Sequence, residues 1–203
     1  MMFDHVGRDV KERVFTPVAR PLQQLHPVVF TWLALAFGLA TAVLLWQQQY
    51  IWALLCWALN RVLDALDGTI ARLTQQQSDL GGYLDIVLDF VIYAAIPIGL
   101  VWGNPSPLHY QMLAILLGVF YVNAASWMYL AAILEKRAQG AAAQREETTI
   151  TMPAGLVGGV ETILFYGAFA LFPTHIVLLF GVMAGLTAVS VVQRLVWAAR
   201  NLA

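Results

Sequence analysis

The sequence predicts an all-helical, polytopic membrane protein, with six transmembrane helices preceded by an N-terminal interfacial amphipathic helix. Three observations carry this. The 203-residue chain is 60 % hydrophobic and only 11 % charged, with a mean hydropathy of +0.71, a balance far too apolar for a soluble domain. Its apolar residues gather into six runs, each near the ~20 residues a helix needs to cross a bilayer. All 11 Lys and Arg residues fall on one side when those runs are threaded up and down.

Residues 1–27 form the cytoplasmic and interfacial N-terminal segment. Val6, Val10, Val14, Val18 and Leu22 recur every four residues among charges, the pattern of a helix lying on the inner leaflet. Pro17 and Pro21 are expected to break it. Residues 28–203 form the six-helix domain, with spans near 28–46, 50–73, 82–102, 108–134, 154–172 and 176–192. The first run follows a charged stretch and has no small-residue cleavage site, so it reads as an anchor and not as a removable signal.

Arg8, Lys11, Arg13 and Arg20 precede the first span, Lys136, Arg137 and Arg145 follow the fourth, and Arg194 and Arg200 end the sixth. The opposite connections carry no Lys or Arg, which places both termini in the cytoplasm of a cell membrane of the bacterial inner-membrane kind. Trp46, Tyr50, Trp52 and Trp102 gather at the outer boundary as an aromatic belt. His109 and His175 lie there too and read as structural. Cys56 reads as a small packed hydrophobe. Gly155 with Gly159, and Gly181 with Gly185, have the spacing of close helix crossings, within the chain or across a homodimer. Nothing in the charge pattern points to nucleic acid.

Against this apolar background, Asp64, Asp67, Asp85 and Asp89 stand out. A charged residue at a helix centre costs ~2.5–3.5 kcal/mol on insertion scales, so four cost on the order of 10 kcal/mol unless compensated. Asp64, Asp67, Gly68, Ala71 and Arg72 lie at i, i+3, i+4, i+7 and i+8, and so share one face of a helix. Asp85 and Asp89 share a face of the next. With a short polar turn over 74–80 between antiparallel neighbours, all four acids are expected to converge at one depth below the cytoplasmic surface. Such hard oxygen donors suit Mg²⁺ or Mn²⁺. An ion-paired network with Arg61 and Arg72 that merely fixes packing is the structural alternative, but four acids against two bases leave negative charge over.

The spacing Asp64-x-x-Asp67-Gly68-x-x-Ala71-Arg72, then eight residues, Gly81, three residues, Asp85, three residues, Asp89 resembles the signature of the CDP-alcohol phosphatidyltransferase family at every fixed position. At background usages of roughly 5–8 % per residue type, eight such matches arise by chance on the order of once in 10⁹ starting points. The resemblance implies transfer of a phosphatidyl group from CDP-diacylglycerol to a small polar alcohol, with release of CMP, in phospholipid biosynthesis. It also implies two divalent ions held by Asp64, Asp67 and Asp85, with Asp89 as a further ligand and the base that accepts the alcohol proton. Gly68, Ala71, Arg72 and Gly81 would line the CDP site, and a homodimer is implied as well.

Asn60, one turn before Asp64, is a candidate for nucleotide or metal-bound water and equally for a helix-packing amide. Arg61 beside it is expected to snorkel to the interface. Family members that take a phosphorylated alcohol resemble one another in gripping it with arginines, which makes Arg137, Arg145 and Arg194 acceptor candidates. Glu161, about seven residues into the fifth run, joins them as a lone acid expected to face a polar cavity. The sequence Asp85-Ile-Val-Leu-Asp89-Phe departs from the Asp-Pro-x-x-Asp-Lys form of glycerol-phosphate users. Two other functions stand beside this reading. One is a CDP-choline or CDP-ethanolamine phosphotransferase with diacylglycerol as acceptor, which shares the motif. The other is a cation-coupled transporter, which would repeat the acid-rich helix pair in its second half, where none occurs.

Overall fold

The computed structural model describes residues 15–138 and 155–202. Its order is all-helical, and the described residues contain no strand. Contacts divide the chain into two compact units, Met1–Gly103 and Asn104–Ala203.

In the first unit residues 15–19 are helical and Arg20–Leu22 tighten into a 3₁₀ turn. Three long helices follow: α1 (Pro27–Trp46), α2 (Tyr50–Leu73) and α3 (Asp79–Gly103). Pro17 thus lies within helix, contrary to the expected break, while the chain leaves α-helical form at Arg20, next to Pro21. This short segment packs into the same cluster as α1 and α2: Ala19, Phe30, Leu66 and Ile70 are buried together, flanked by Phe15, Leu22 and Leu63. Of the four-residue repeat, Leu22 packs into this cluster while Val18 is half exposed, and Phe15 and Ala19 supply the rest of the buried face. The repeat's first three valines lie outside the described residues.

α1 begins at the helix-favouring Pro27, with His26 Nδ1 accepting from Val28 N at 3.3 Å. It is the central strut. α2 and α3 each pack extensively on α1 and touch one another far less. The α1–α3 seam is closed by glycines: a Cβ at Gly38 would stand 2.6 Å from Ile92, and one at Gly103 would stand 2.5 Å from the Leu45 carbonyl oxygen. A Cβ at Gly99 would overlap the Ala42 carbonyl. The turns at both ends of α2 use left-handed glutamines, Gln48 (φ 60°) and Gln75 (φ 55°). Gln48 secures the first by donating from Nε2 to Gly103 O at 2.5 Å.

The second unit comprises α4 (Pro107–Lys136), α5 (Gly159–Leu171), a 3₁₀ turn (Pro173–His175) and α6 (Ile176–Asn201). α4 and α6 pack against one another along their lengths. Phe169 joins α5 to α6 through Phe180, ring centroids 4.9 Å apart at 71°. Of the glycine pairs expected at helix crossings, Gly181 meets Met112 and Gly155 meets Arg194, but nothing lies within 4 Å of a Cβ at Gly159 or Gly185.

Among the described residues, α1 to α6 follow the six apolar runs. Among the same residues, four stretches, Pro27–Trp46, Asp79–Gly103, Pro107–Lys136 and Pro173–Asn201, are long and apolar enough to cross a membrane by length and composition. α2 carries Arg61, Asp64, Asp67 and Arg72, and α5 has only 13 residues, about 20 Å of helix.

Candidate active site

The site is built on the facing ends of α2 and α3. α2 ends at Leu73, Thr74 Oγ1 donates to Ile70 O at 2.8 Å, and Ser78 starts α3 by accepting from Gly81 N at 3.1 Å. Because α2 is unbroken from Tyr50 to Leu73, Asp64, Asp67, Gly68, Ala71 and Arg72 occupy one face of it, as their spacing predicts. Gly81, Asp85 and Asp89 rise along α3.

The backbones of α2 and α3 lean on α1 and leave a gap, which side chains bridge. Arg61 reaches across it: Nη2 donates to Asp89 Oδ1 at 2.8 Å and Nη1 to Asp89 Oδ2 at 3.4 Å, a fork on one carboxylate. Nη1 also lies 3.6 Å from Asp64 Oδ2 and donates to Tyr93 Oη at 3.2 Å. Tyr93 Oη in turn donates to Asp89 Oδ2 at 3.0 Å. The guanidinium sits 4.7 Å over the Trp57 ring and 5.6 Å from that of Tyr93, near enough for cation–π attraction to both. Arg61 therefore does not snorkel. Its side chain is 10 % exposed, because an acid across the gap and two aromatic faces outcompete the interface.

Asn60 is fully buried, with Nδ2 donating to Ala34 O of α1 at 2.7 Å and Oδ1 accepting from Arg61 Nε at 2.6 Å. It serves the α1–α2 seam, the packing alternative. Asp67 is buried and accepts from Thr31 Oγ1 at 2.9 Å. Asp85 is exposed on α3. Among the described residues no three carboxylate, imidazole or thiol groups surround one point, so the expected convergence of four acids is not reached. The reason is the leaning of both helices on α1 and the guanidinium inserted between Asp64 and Asp89. A side chain at Gly68 would meet only Arg72 Nη1, at 3.4 Å. That open wall, with Arg72 held lightly by Thr69 Oγ1 at 3.4 Å, has the character of a ligand surface.

The donor set fits a hard divalent cation in its chemistry: every donor is a carboxylate oxygen, and the four carry more negative charge than Arg61 offsets.

The acceptor candidates lie in the second unit. Arg137 Nη2 donates to Leu202 O at 2.7 Å and Nη1 to Asn201 O at 3.3 Å, so it caps the C-terminus of α6. Glu161 is not deep in a span. The fifth helix starts at Gly159, and Glu161 Oε2 accepts from Gly158 N at 3.0 Å, in the first turn, where carboxylates favour the helix dipole. Arg194 is 6 % exposed and donates from Nη1 to Asn123 Oδ1 at 2.6 Å, against Gly155. Arg145 lies outside the described residues. Sequence reasoning missed Thr31, Trp57, Tyr93 and Asn123. Tyr93 and Trp57 were within reach of it, four residues after Asp89 and four before Arg61 on the same helix faces, but Thr31 and Asn123 depend on contacts between helices.

Comparison with known proteins matches this geometry to a lineage. An inner membrane protein of Escherichia coli, YnjF, is 34 % identical over 151 residues, covering 73 % of this chain and 71 % of that protein. A phosphatidylcholine synthase of Legionella pneumophila is 32 % identical over 84 residues, 39 % of this chain and 33 % of that one. Among solved structures, the phosphatidylinositol phosphate synthase PgsA1 of Mycobacterium tuberculosis, with CDP-DAG bound, has the same fold, with a TM-score of 0.69 and 23 % identity over 90 % of this chain and 92 % of that one. The apolar helices and the inner-membrane relative make this a membrane protein. Residues 24–198 match the family over nearly all of α1 to α6, and the chain belongs to the CDP-alcohol phosphatidyltransferases, enzymes that transfer a substituted phosphate group.

Proposed function

We propose that this enzyme transfers the phosphatidyl group of CDP-diacylglycerol to a small polar alcohol and releases CMP, with two divalent cations, Mg²⁺ or Mn²⁺, at the α2–α3 acids. What supports the reading is the motif's placement, Asp64, Asp67, Gly68, Ala71 and Arg72 on one face of α2 and Gly81, Asp85 and Asp89 along α3, with Arg61 joining Asp64 to Asp89 between the two helices. Asp64, Asp67 and Asp85 are the residues to hold the metal, with Asp89 beside them as the proton acceptor. Thr31 fixes the rotamer of Asp67 by its hydrogen bond.

The alcohol oxygen attacks the β-phosphorus, the one bearing diacylglycerol. The bond from that phosphorus to the bridging oxygen breaks, and CMP leaves. Asp89 takes the hydroxyl proton. Bound cations would neutralise charge on the diphosphate and on the leaving phosphate. Gly68 and Ala71 let the diphosphate approach the α2 backbone, and the Arg72 fork donates to its oxygens.

The proposal extends to six crossings with both termini cytoplasmic, to a homodimer, and to Arg145 and Arg194 as acceptor-side cations. Incubating purified protein with CDP-diacylglycerol, Mg²⁺ and a panel of serine, inositol phosphate, glycerol 3-phosphate and choline tests it. CMP release with one acceptor is expected. CMP released only from CDP-choline on adding diacylglycerol would reverse donor and acceptor, and silence with every pairing would refute the reading.

A further inference from the structure

We infer that Arg61 is a positioning residue for Asp89, a fixed cation already engaged by the protein that aims the Asp89 carboxylate and weakens the pull of the acid cluster on metal. The inference rests on the assignment of Asp89 as proton acceptor in the function proposed above.

Arg61 is held from every direction. Nε is bound to Asn60, and Asn60 is pinned to the α1 backbone at Ala34; Nη2 is bound to Asp89; Nη1 faces Asp89, Tyr93 and Asp64. Trp57 and Tyr93 cover its plane. An arginine meant to grip a substrate phosphate presents several unused donors on a side chain that can move. Arg61 has four of its five N–H donors engaged, and its side chain is 10 % exposed.

The consequence falls on Asp89. An ionised carboxylate offers about four acceptor positions. Arg61 takes one on Oδ1, and Arg61 with Tyr93 take both on Oδ2. The remaining Oδ1 position is the one open to a hydroxyl proton. The arginine fork fixes the direction of the carboxylate and so aims that open position. The same guanidinium, 3.6 Å from Asp64, repels an incoming cation, which accounts for acids that share a site without forming one ligand shell.

The experiment uses the full chain in detergent micelles, as wild type, Arg61→Gln, Arg61→Lys and Tyr93→Phe. Mn²⁺ affinity is read by electron paramagnetic resonance, CMP release gives kcat and KM, and thermal midpoints report folding. Arg61→Gln is expected to lower kcat by about tenfold or more, the scale of a misdirected base, while the KM for CDP-diacylglycerol stays within about threefold. Its Mn²⁺ affinity should rise by about threefold or more, since a positive charge leaves the cluster. Arg61→Lys should bind Mn²⁺ as wild type does yet remain slow, because an ammonium cannot fork. Tyr93→Phe should slow kcat without moving Mn²⁺ affinity.

A wild-type kcat in Arg61→Gln, weaker Mn²⁺ binding by it, or full turnover in Arg61→Lys would each overturn the inference. Should Arg61→Gln fail to fold, Arg61→Lys and Tyr93→Phe decide. If wild type releases no CMP with any acceptor, the proposed function fails, while the Mn²⁺ comparison still tests where Arg61 stands.

Discussion

Alanine placed at Gly99 and, separately, at Gly68 should produce opposite phenotypes from the same chemical change. At Gly99 the nearest atoms to the new methyl are backbone atoms of Ala42: its carbonyl oxygen, its carbonyl carbon at 2.8 Å and its Cα at 3.1 Å. Ordinary carbon contacts begin near 3.5 Å, and helix backbone cannot rotate aside, so α1 and α3 must part by about 1 Å. Overpacking of this kind costs ~1–3 kcal/mol, against which the better helix propensity of alanine returns at most ~1 kcal/mol. The net loss is about 1–2 kcal/mol, or roughly 2–8 °C in thermal midpoint for a chain of this size. At Gly68 the methyl meets one flexible atom, Arg72 Nη1 at 3.4 Å. Folding there should be unchanged or improved by up to ~1 kcal/mol, yet CMP release should fall by about tenfold or more, because the methyl occupies the wall a diphosphate must approach. Thermal melts in detergent and initial rates of CMP release measure both. A Gly68→Ala enzyme with wild-type rates would refute the assignment of that wall, and a Gly99→Ala protein with a wild-type midpoint would refute the account of the seam.

Three further outcomes follow from the same geometry. Chelation by EDTA should abolish CMP release and Mg²⁺ or Mn²⁺ should restore it, while Asp64→Asn, Asp67→Asn and Asp85→Asn should each lower the rate by about 100-fold with near-native melts; activity that survives chelation would remove the metal from the proposal. Thr31→Val keeps the volume but withdraws the hydrogen bond to Asp67, so metal affinity should weaken by about 10-fold, read as the Mn²⁺ dependence of rate. Arg137→Met should lower the thermal midpoint slightly, by the ~0.3–1 kcal/mol of a helix-end cation, with the KM for every acceptor unchanged; a raised acceptor KM would return Arg137 to the acceptor site.

Much of the fold was legible because a bilayer imposes a one-dimensional rule. The run at 50–73 coincides with α2, and the polar turn before α3 falls where Thr74 to Ser78 leave the helix. The motif's helix faces were equally readable, since 3.6-residue periodicity carries each side chain with its position. Glu161 shows where reading stops: hydropathy ran on through Ala154, and the helix boundary at Gly159 turned a deep acid into a cap. Gly38, Gly99 and Gly103 show it again. They close the α1–α3 seam, and although Gly99 and Gly103 share the four-residue spacing of Gly155 with Gly159 and Gly181 with Gly185, spacing alone does not separate that pair from Gly159 and Gly185, where nothing lies within 4 Å of a Cβ.

From the order of its residues alone, this protein is a helical membrane enzyme of its family, with one face of α2 and one of α3 bearing acids. Those properties depend on composition and on separations of eight residues or fewer along a helix. Tertiary structure decided how the two faces meet: that α1 holds them apart, that Arg61 is drawn inward between Asp64 and Asp89, that Asn60 belongs to a seam and that Thr31 orients Asp67. Partners 26 to 36 residues distant are set by how helices lean, and no local periodicity encodes that angle.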